Sequence, residues 1–97
     1  MYIVILNLTD KKADAPAHMA DHNAWIAQGF EDGVFLVVGS LKPQGGGAIL
    51  AVAEDITDLE ARVAADPFVS KGIATPHIQQ IAPARTDARL SFLKDVA

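Results

Sequence analysis

The stretch that decides the fold is VFLVVGSLKPQGGGAILAVA, residues 34–53. Its two apolar runs, 34–38 and 48–53, have the composition and length of buried strands, the first ending at Gly39-Ser40. Between them, residues 42–47 combine proline with three glycines, as turns do. The length of this turn suits a hairpin, so the stretch predicts two antiparallel strands.

One strand and one helix precede the hairpin. Residues 2–8 (YIVILNL) are rich in β-branched side chains and predict a central strand. After a loop, Pro16 suits the first turn of a helix, which we expect to run to about Asp32 and to stop at Gly33.

A second helix and a last strand follow it. Thr57 and Glu60 have the spacing of a capping box, which predicts a helix start near Thr57. This helix should end by Asp66, because the residue before a proline is disfavoured in the α region. Residues 77–81 predict the last strand. The order βαββαβ suits an α+β fold of the ferredoxin-like kind, with two helices on one face of an antiparallel sheet.

Length and composition favour one small domain. The chain has 97 residues, 51% of them hydrophobic, no cysteine and a net charge of −4. We expect the domain to span residues 1–84, followed by a tail, 85–97, whose apolar residues are Leu90, Phe92, Leu93 and Val96. Scattered basic residues in an acidic chain argue against nucleic-acid binding. No apolar run approaches the roughly 18 residues of a membrane span and no secretion signal is evident, so we predict no membrane binding and a cytoplasmic location.

Two polar residues lie where helical periodicity calls for apolar ones. At about 100° per residue, His22 falls near the centre of the apolar face of the first helix. Counting from Leu59 through Val63, the apolar face of the second helix ends in Asp66. A buried histidine and a buried aspartate that meet are natural partners, and we predict that His22 and Asp66 form a catalytic pair.

The chemistry of such a pair is proton transfer. Imidazole titrates near neutral pH and serves as a general base or acid. Asp66, placed at the C-terminal end of its helix and beside Phe68, would favour a cationic neighbour such as protonated His22. Ser40, at the end of the second strand, is a candidate to bind a substrate oxygen, and Tyr2 and Trp25 are candidate walls of the substrate site.

A set of residues resembles the YCII-related (YciI-like) family, small members of the dimeric α+β barrel group. The matching residues are His22-Asn23-Ala24-Trp25-Ile26, Gly33, Gly39, Gly47-Ala48-Ile49, Asp66-Pro67-Phe68-Val69 and Gly72. The resemblance implies a homodimer formed by packing sheet on sheet and an active-site pair at His22 and Asp66. It also implies lyase-like eliminations or isomerisations of small ring compounds. Ser40 departs from the family, in which many members have proline after the glycine.

Structural explanations of the same residues stay open. His22 is also explained as a core histidine bonded to a backbone carbonyl, Asp66 as a turn residue, and Trp25 as a core or dimer contact. His18 and His22 have a spacing that suits a shared metal, but no third nitrogen or sulfur ligand lies nearby in sequence. We therefore predict neither a metal nor a cofactor.

Three classes of function are consistent with these observations. The first is a cofactor-independent lyase or isomerase acting on a small cyclic or aromatic compound. The second is a module that binds a small ligand without turnover. The third is a structural dimer in which His22 and Asp66 satisfy each other out of reach of solutes.

Overall fold

The computed structural model describes residues 1–95 and has four strands, three α-helices and two 3-10 segments. Val96, which we expected among the apolar residues of the tail, lies outside the described residues. In chain order the elements are β1 (Tyr2–Leu8), a 3-10 turn (Lys12–Asp14), α1 (Ala15–Glu31), β2 (Phe35–Ser40), β3 (Gly47–Ala51), α2 (Ile56–Ala64), α3 (Pro67–Ser70), β4 (Ala74–Gln80) and a kinked 3-10 segment (Ala88–Asp95).

The four strands form one antiparallel sheet in the order β2-β3-β1-β4. β1 is central, as predicted, and β2 and β3 form the predicted hairpin. This order and the helices packed on the sheet confirm the predicted ferredoxin-like α+β fold. Within residues 1–95, no helix combines the length and the apolar character needed to cross a membrane.

Successive side chains along each strand point to opposite faces of the sheet, of which one is covered by helices and the other is open. Val4 on the covered face is fully buried, and its neighbour in register, Ile49, is 2% exposed. Leu59 and Val63 of α2 are each 1% exposed and belong to the same core. Burying an aliphatic side chain of this size contributes about 1.5–3 kcal/mol, so this layer supplies much of the stability.

Gly29 is the one residue of α1 that is buried. A Cβ atom added at this position would overlap the ring of Phe35. The absence of a side chain therefore lets α1 approach β2 closely, and this approach fixes the height of the helix above the sheet.

The start of α2 differs from the prediction. The N-cap is Asp55, whose side chain accepts hydrogen bonds from the backbone N–H and the hydroxyl of Thr57, both within 2.9 Å. Thr57 is therefore inside the helix, and the predicted capping box is wrong. An aspartate two residues upstream is at least as good a cap as threonine, and its bond to the N–H of Thr57 puts the helix start before Thr57.

The segment after α2 also differs. α2 ends at Ala64, and Asp66 begins the separate short helix α3. β4 starts at Ala74, three residues earlier than predicted, and includes Pro76. A proline is tolerated there because β4 is at the edge of the sheet, where one side of the strand has no hydrogen-bonding neighbour.

The apolar residues of the C-terminal tail differ in how far they are buried. Leu93 is 2% exposed, whereas Leu90 and Phe92 are 43% and 47% exposed. Leu93 therefore anchors the 3-10 segment, and the other two apolar side chains of the described tail remain at the surface.

Candidate active site

A cavity of about 420 Å³ lies between α1 and the covered face of the sheet. Its sheet side is formed by one end of β1, β2 and β3, and Phe68 and Ala74 close another side. Most lining side chains are apolar; the residues are Leu6, Leu8, Ala15, Met19, His22, Asn23, Ile26, Val38, Gly39, Ser40, Gly46, Gly47, Ala48, Ile49, Phe68 and Ala74. Volume and lining are those of a site for a small organic molecule.

His22 and Asp66 meet at the wall of this cavity. The distance between His22 Nδ1 and Asp66 Oδ1 is 2.7 Å, which is a short hydrogen bond or ion pair. The Asp66 side chain is fully buried, and the His22 side chain is 12% exposed. Because the aspartate occupies Nδ1, the other ring nitrogen, Nε2, is the atom left for a second partner.

The backbone around Asp66 explains why this carboxylate is tolerated in the interior. Asp66 is the N-cap of α3, and its Oδ1 accepts a hydrogen bond of 3.1 Å from the backbone N–H of Phe68. Pro67 at the first helical position has no N–H to satisfy. The expectation that Asp66 ends a helix is therefore wrong: it begins one, where N–H groups favour a negative charge.

The second carboxylate oxygen of Asp66 has a different environment. Oδ2 is buried and has no hydrogen-bond partner within residues 1–95. The carboxylate is thus held through one oxygen, Oδ1, which is shared by the imidazole of His22 and the amide of Phe68. The contact with His22 depends on the position of α3 relative to α1, whereas the contact with the Phe68 amide is local to α3.

Aromatic rings hold the imidazole of His22. The ring of Phe68 is parallel to it, with an interplanar angle of 1° and a centroid distance of 3.9 Å. The indole of Trp25 is also stacked with it, at 5.9 Å and 23°. Trp25 is itself fixed, because its indole N–H donates a 3.0 Å hydrogen bond to the carbonyl of Arg62. The imidazole therefore has little freedom to rotate away from Asp66.

The other predicted site residues are placed differently. Ser40 lines the cavity on the sheet side. Tyr2 is 3% exposed in the core and lies at the far end of β1 from the cavity, outside its lining. Trp25 packs against the core and contacts His22 rather than the cavity. The structure thus brings His22, Asp66 and Ser40 to the cavity region and puts Tyr2 and Trp25 behind it.

Asn23 is a cavity residue that was not predicted from the sequence. Its signal is in the sequence: it lies four residues after Met19 and three before Ile26, on the stripe of α1 that faces the sheet.

Within residues 1–95, no cluster of three or more His, Asp or Glu side chains is arranged to hold a metal ion.

Comparison with known families agrees with the resemblance seen in the sequence. The model of the YCII-related domain matches residues 1–81. The chain belongs to the YCII-related family. No curated protein matches the chain in sequence. The family match confirms the resemblance based on the histidine, glycine and Asp-Pro-Phe motifs.

One solved structure is similar to this YCII-related chain across most of its length. It is 5-chloro-2-hydroxyhydroquinone dehydrochlorinase from Burkholderia phenoliruptrix AC1100, in complex with 2,5-dihydroxybenzoquinone. The TM-score is 0.68 with 17% sequence identity, and the similarity covers 84% of this chain and 93% of the other. At this level of identity, the similarity shows a common fold.

Proposed function

We propose that this YCII-related protein is a small cofactor-independent enzyme that moves a proton on a small cyclic or aromatic compound, in a lyase-like or isomerase-like reaction. The observation that carries the proposal is the 2.7 Å contact between His22 Nδ1 and the buried Asp66, made at the wall of a largely apolar cavity. An imidazole held by a carboxylate at one nitrogen is arranged to exchange a proton at the other.

The two residues have distinct roles in this arrangement. Asp66 accepts a hydrogen bond from Nδ1–H and so favours the neutral tautomer in which Nε2 carries a lone pair. Nε2 removes a proton from a substrate carbon or hydroxyl, and the imidazolium that forms is stabilised by the carboxylate. The stack with Phe68 keeps the ring in this orientation during the transfer.

The two reaction types share proton removal and diverge after it. In an elimination, the freed electron pair forms a new double bond, and the leaving group departs with its own bonding pair. In an isomerisation, the proton returns from Nε2 to another atom of the substrate. Neither reaction requires an external oxidant or reductant, so the proposed chemistry needs no redox cofactor.

The cavity supports the proposed substrate class. Its apolar lining suits the faces of a carbocycle, and its volume suits a small ring. The structural neighbour is, by its name, an enzyme that removes hydrogen chloride from a hydroxylated chlorinated ring. A lyase-like reaction on a related kind of molecule is the corresponding proposal for this chain.

A homodimer is part of the proposal. On the open face of the sheet, Ile3, Ile5 and Leu50 are only partly buried and Val37 is 57% exposed. Covering an apolar sheet face lowers the free energy of the protein in water, and a second copy packed sheet on sheet would cover this face. The resemblance to dimeric α+β barrels supports the same arrangement.

Deuterium exchange tests proton transfer without knowledge of the product. Candidate phenols, lactones and keto acids that raise the melting temperature would be incubated with the protein in D2O, and exchange at carbon would be followed by NMR. We expect exchange with the wild type and a loss of about a hundredfold or more in His22→Ala, as for removal of a general base.

The control for this experiment is His18→Ala, which removes a histidine from α1 outside the cavity lining. It should exchange deuterium at the wild-type rate. A ligand that binds the wild type without exchange would contradict the enzyme proposal and favour a ligand-binding module. If no member of the panel binds, the structural-dimer hypothesis gains support.

A further inference from the structure

Asn23 is a polar residue on an apolar stripe. The α1 residues that line the cavity are Ala15, Met19, His22, Asn23 and Ile26, which follow helical spacing and form one face. Asn23 borders the cavity while remaining exposed to solvent, and so does Ser40. Asn23 is the neighbour of His22 in the chain and differs from it in being exposed rather than partly buried.

The amide of Asn23 is available for a ligand. Neither it nor the hydroxyl of Ser40 takes part in a side-chain hydrogen bond within residues 1–95. Asn23 is on the helix side of the cavity and Ser40 on the sheet side. A molecule between them would therefore meet a hydrogen-bonding group on each side.

The charge of the lining restricts what this molecule is. Of the side chains that line the cavity within residues 1–95, only those of His22, Asn23 and Ser40 carry a nitrogen or oxygen atom, and none is a lysine, arginine or carboxylate. A carboxylate or phosphate ligand would lose hydration without gaining a permanent cationic partner. The lining favours an uncharged molecule with oxygen substituents on two sides.

We propose that Asn23 is a specificity-determining residue, which binds one oxygen of the substrate from the helix side while Ser40 binds another from the sheet side. The two contacts orient a flat ring across the cavity and present one edge to His22. This proposal rests on the proposed function for the nature of the reacting edge. The binding preference itself is measurable without turnover.

The test uses three benzene rings that carry two, one and no hydroxyl groups: hydroquinone, phenol and 1,4-dimethylbenzene. Binding to the full chain would be followed by chemical-shift titration of the cavity residues. We expect the affinity to fall from hydroquinone to phenol and again to 1,4-dimethylbenzene. Asn23→Leu should weaken hydroquinone binding roughly fivefold, equivalent to one net hydrogen bond, and should leave 1,4-dimethylbenzene binding unchanged or stronger.

Two further variants separate the contacts. Ser40→Ala should reduce the preference for hydroquinone over phenol by a similar factor. Gln28→Leu is the matched control, because it makes the same kind of change on α1 outside the cavity, and it should leave all three affinities unchanged. Amide spectra of each variant would show that the fold is retained.

Other results would overturn the proposal. It is wrong if hydroquinone does not perturb the cavity residues, or if Asn23→Leu weakens hydroquinone and 1,4-dimethylbenzene equally, since that would be an effect of shape. The enzyme proposal fails separately. If the preference depends on Asn23 but no bound ring exchanges deuterium, then Asn23 is a specificity residue of a binding module.

Discussion

His22 and Asp66 are 44 residues apart in the chain and 2.7 Å apart between Nδ1 and Oδ1. The contact joins the middle of α1 to the residue that caps α3, so it links two helices that pack side by side on the sheet. The same Asp66 oxygen accepts a hydrogen bond from the backbone N–H of Phe68, whose ring stacks on His22. The Asp-Pro-Phe motif therefore holds the imidazole both by its edge and by its face.

Replacing Asp66 by alanine tests the first of these contacts. The change removes the cap of α3 and leaves Nδ1 of His22 without its acceptor. We expect the free energy of unfolding to fall by about 1–3 kcal/mol, measured by urea denaturation. We also expect the ¹⁵N signal of protonated Nδ1 in neutral His22 to weaken, because the carboxylate no longer selects that tautomer.

The control for this change is Asp55→Ala, which removes the exposed cap of α2. It should destabilise the protein without altering the nitrogen signals of His22. Equal effects of the two variants on His22, or no effect of either, would mean that Asp66 does not fix the tautomer.

Replacing Phe68 by leucine tests the second contact. Phe68 is 7% exposed and parallel to the imidazole. We expect a loss of about 1–2 kcal/mol from the smaller side chain and a downfield movement of the ring protons of His22 as the neighbouring aromatic ring is lost. Phe30→Leu is a matched control, because Phe30 is 44% exposed on the same helix layer. If the His22 signals do not move in Phe68→Leu, the stack does not persist in solution.

The sequence predicted the pairing of His22 with Asp66, because both were placed on apolar helical stripes and an unpaired polar group is costly inside a protein. For His22 this placement on α1 is correct, whereas Asp66 follows the end of α2 at Ala64. The sequence was insufficient for the local role of Asp66. The motif Thr57-x-x-Glu60 and the proline rule together predict one helix, and a four-residue helix such as α3 has too little periodicity to be detected.

The position of Tyr2 relative to the cavity could not be predicted from the sequence, for a different reason. Alternation along β1 puts Tyr2 and Leu6 on the same face, but it does not say which end of the strand borders a cavity. The cavity lies at the Leu6 end, so Tyr2 became a core residue. Asn23 was missed because its spacing in the sequence does not show that this exposed polar residue also borders a cavity.

The cap of α2 makes stability depend on pH. The pKa of Asp55 is lowered from its ordinary value of about 3.8, first by the backbone N–H of Thr57 and then by the Thr57 hydroxyl. A carboxyl whose pKa is lower in the folded state stabilises the protein above its unfolded pKa, and this contribution is lost as the pH falls through the folded value. Asp55→Asn should therefore show a shallower loss of stability on acidification below about pH 4.

Urea midpoints measured at several pH values between neutrality and strong acid would check this. Thr57→Val retains the backbone donor and removes the hydroxyl, so it should give an acid dependence between those of the wild type and Asp55→Asn. Identical acid dependence in all three proteins would contradict the assignment of Asp55 as the cap.

The open face of the sheet gives the last prediction. Val37, on the edge strand β2, is 57% exposed and in register with Leu50 of β3 on that face. If two copies pack sheet on sheet, Val37→Lys places a charge in the interface, and each dimer contains two of them. Sedimentation velocity should then show a wild-type dimer at micromolar concentration and a monomeric variant. Ile56→Lys, at a 38% exposed position on the helix side, should remain dimeric. A wild-type monomer would mean that the open face is not covered by a second copy, and a dimeric Val37→Lys variant would place the interface elsewhere.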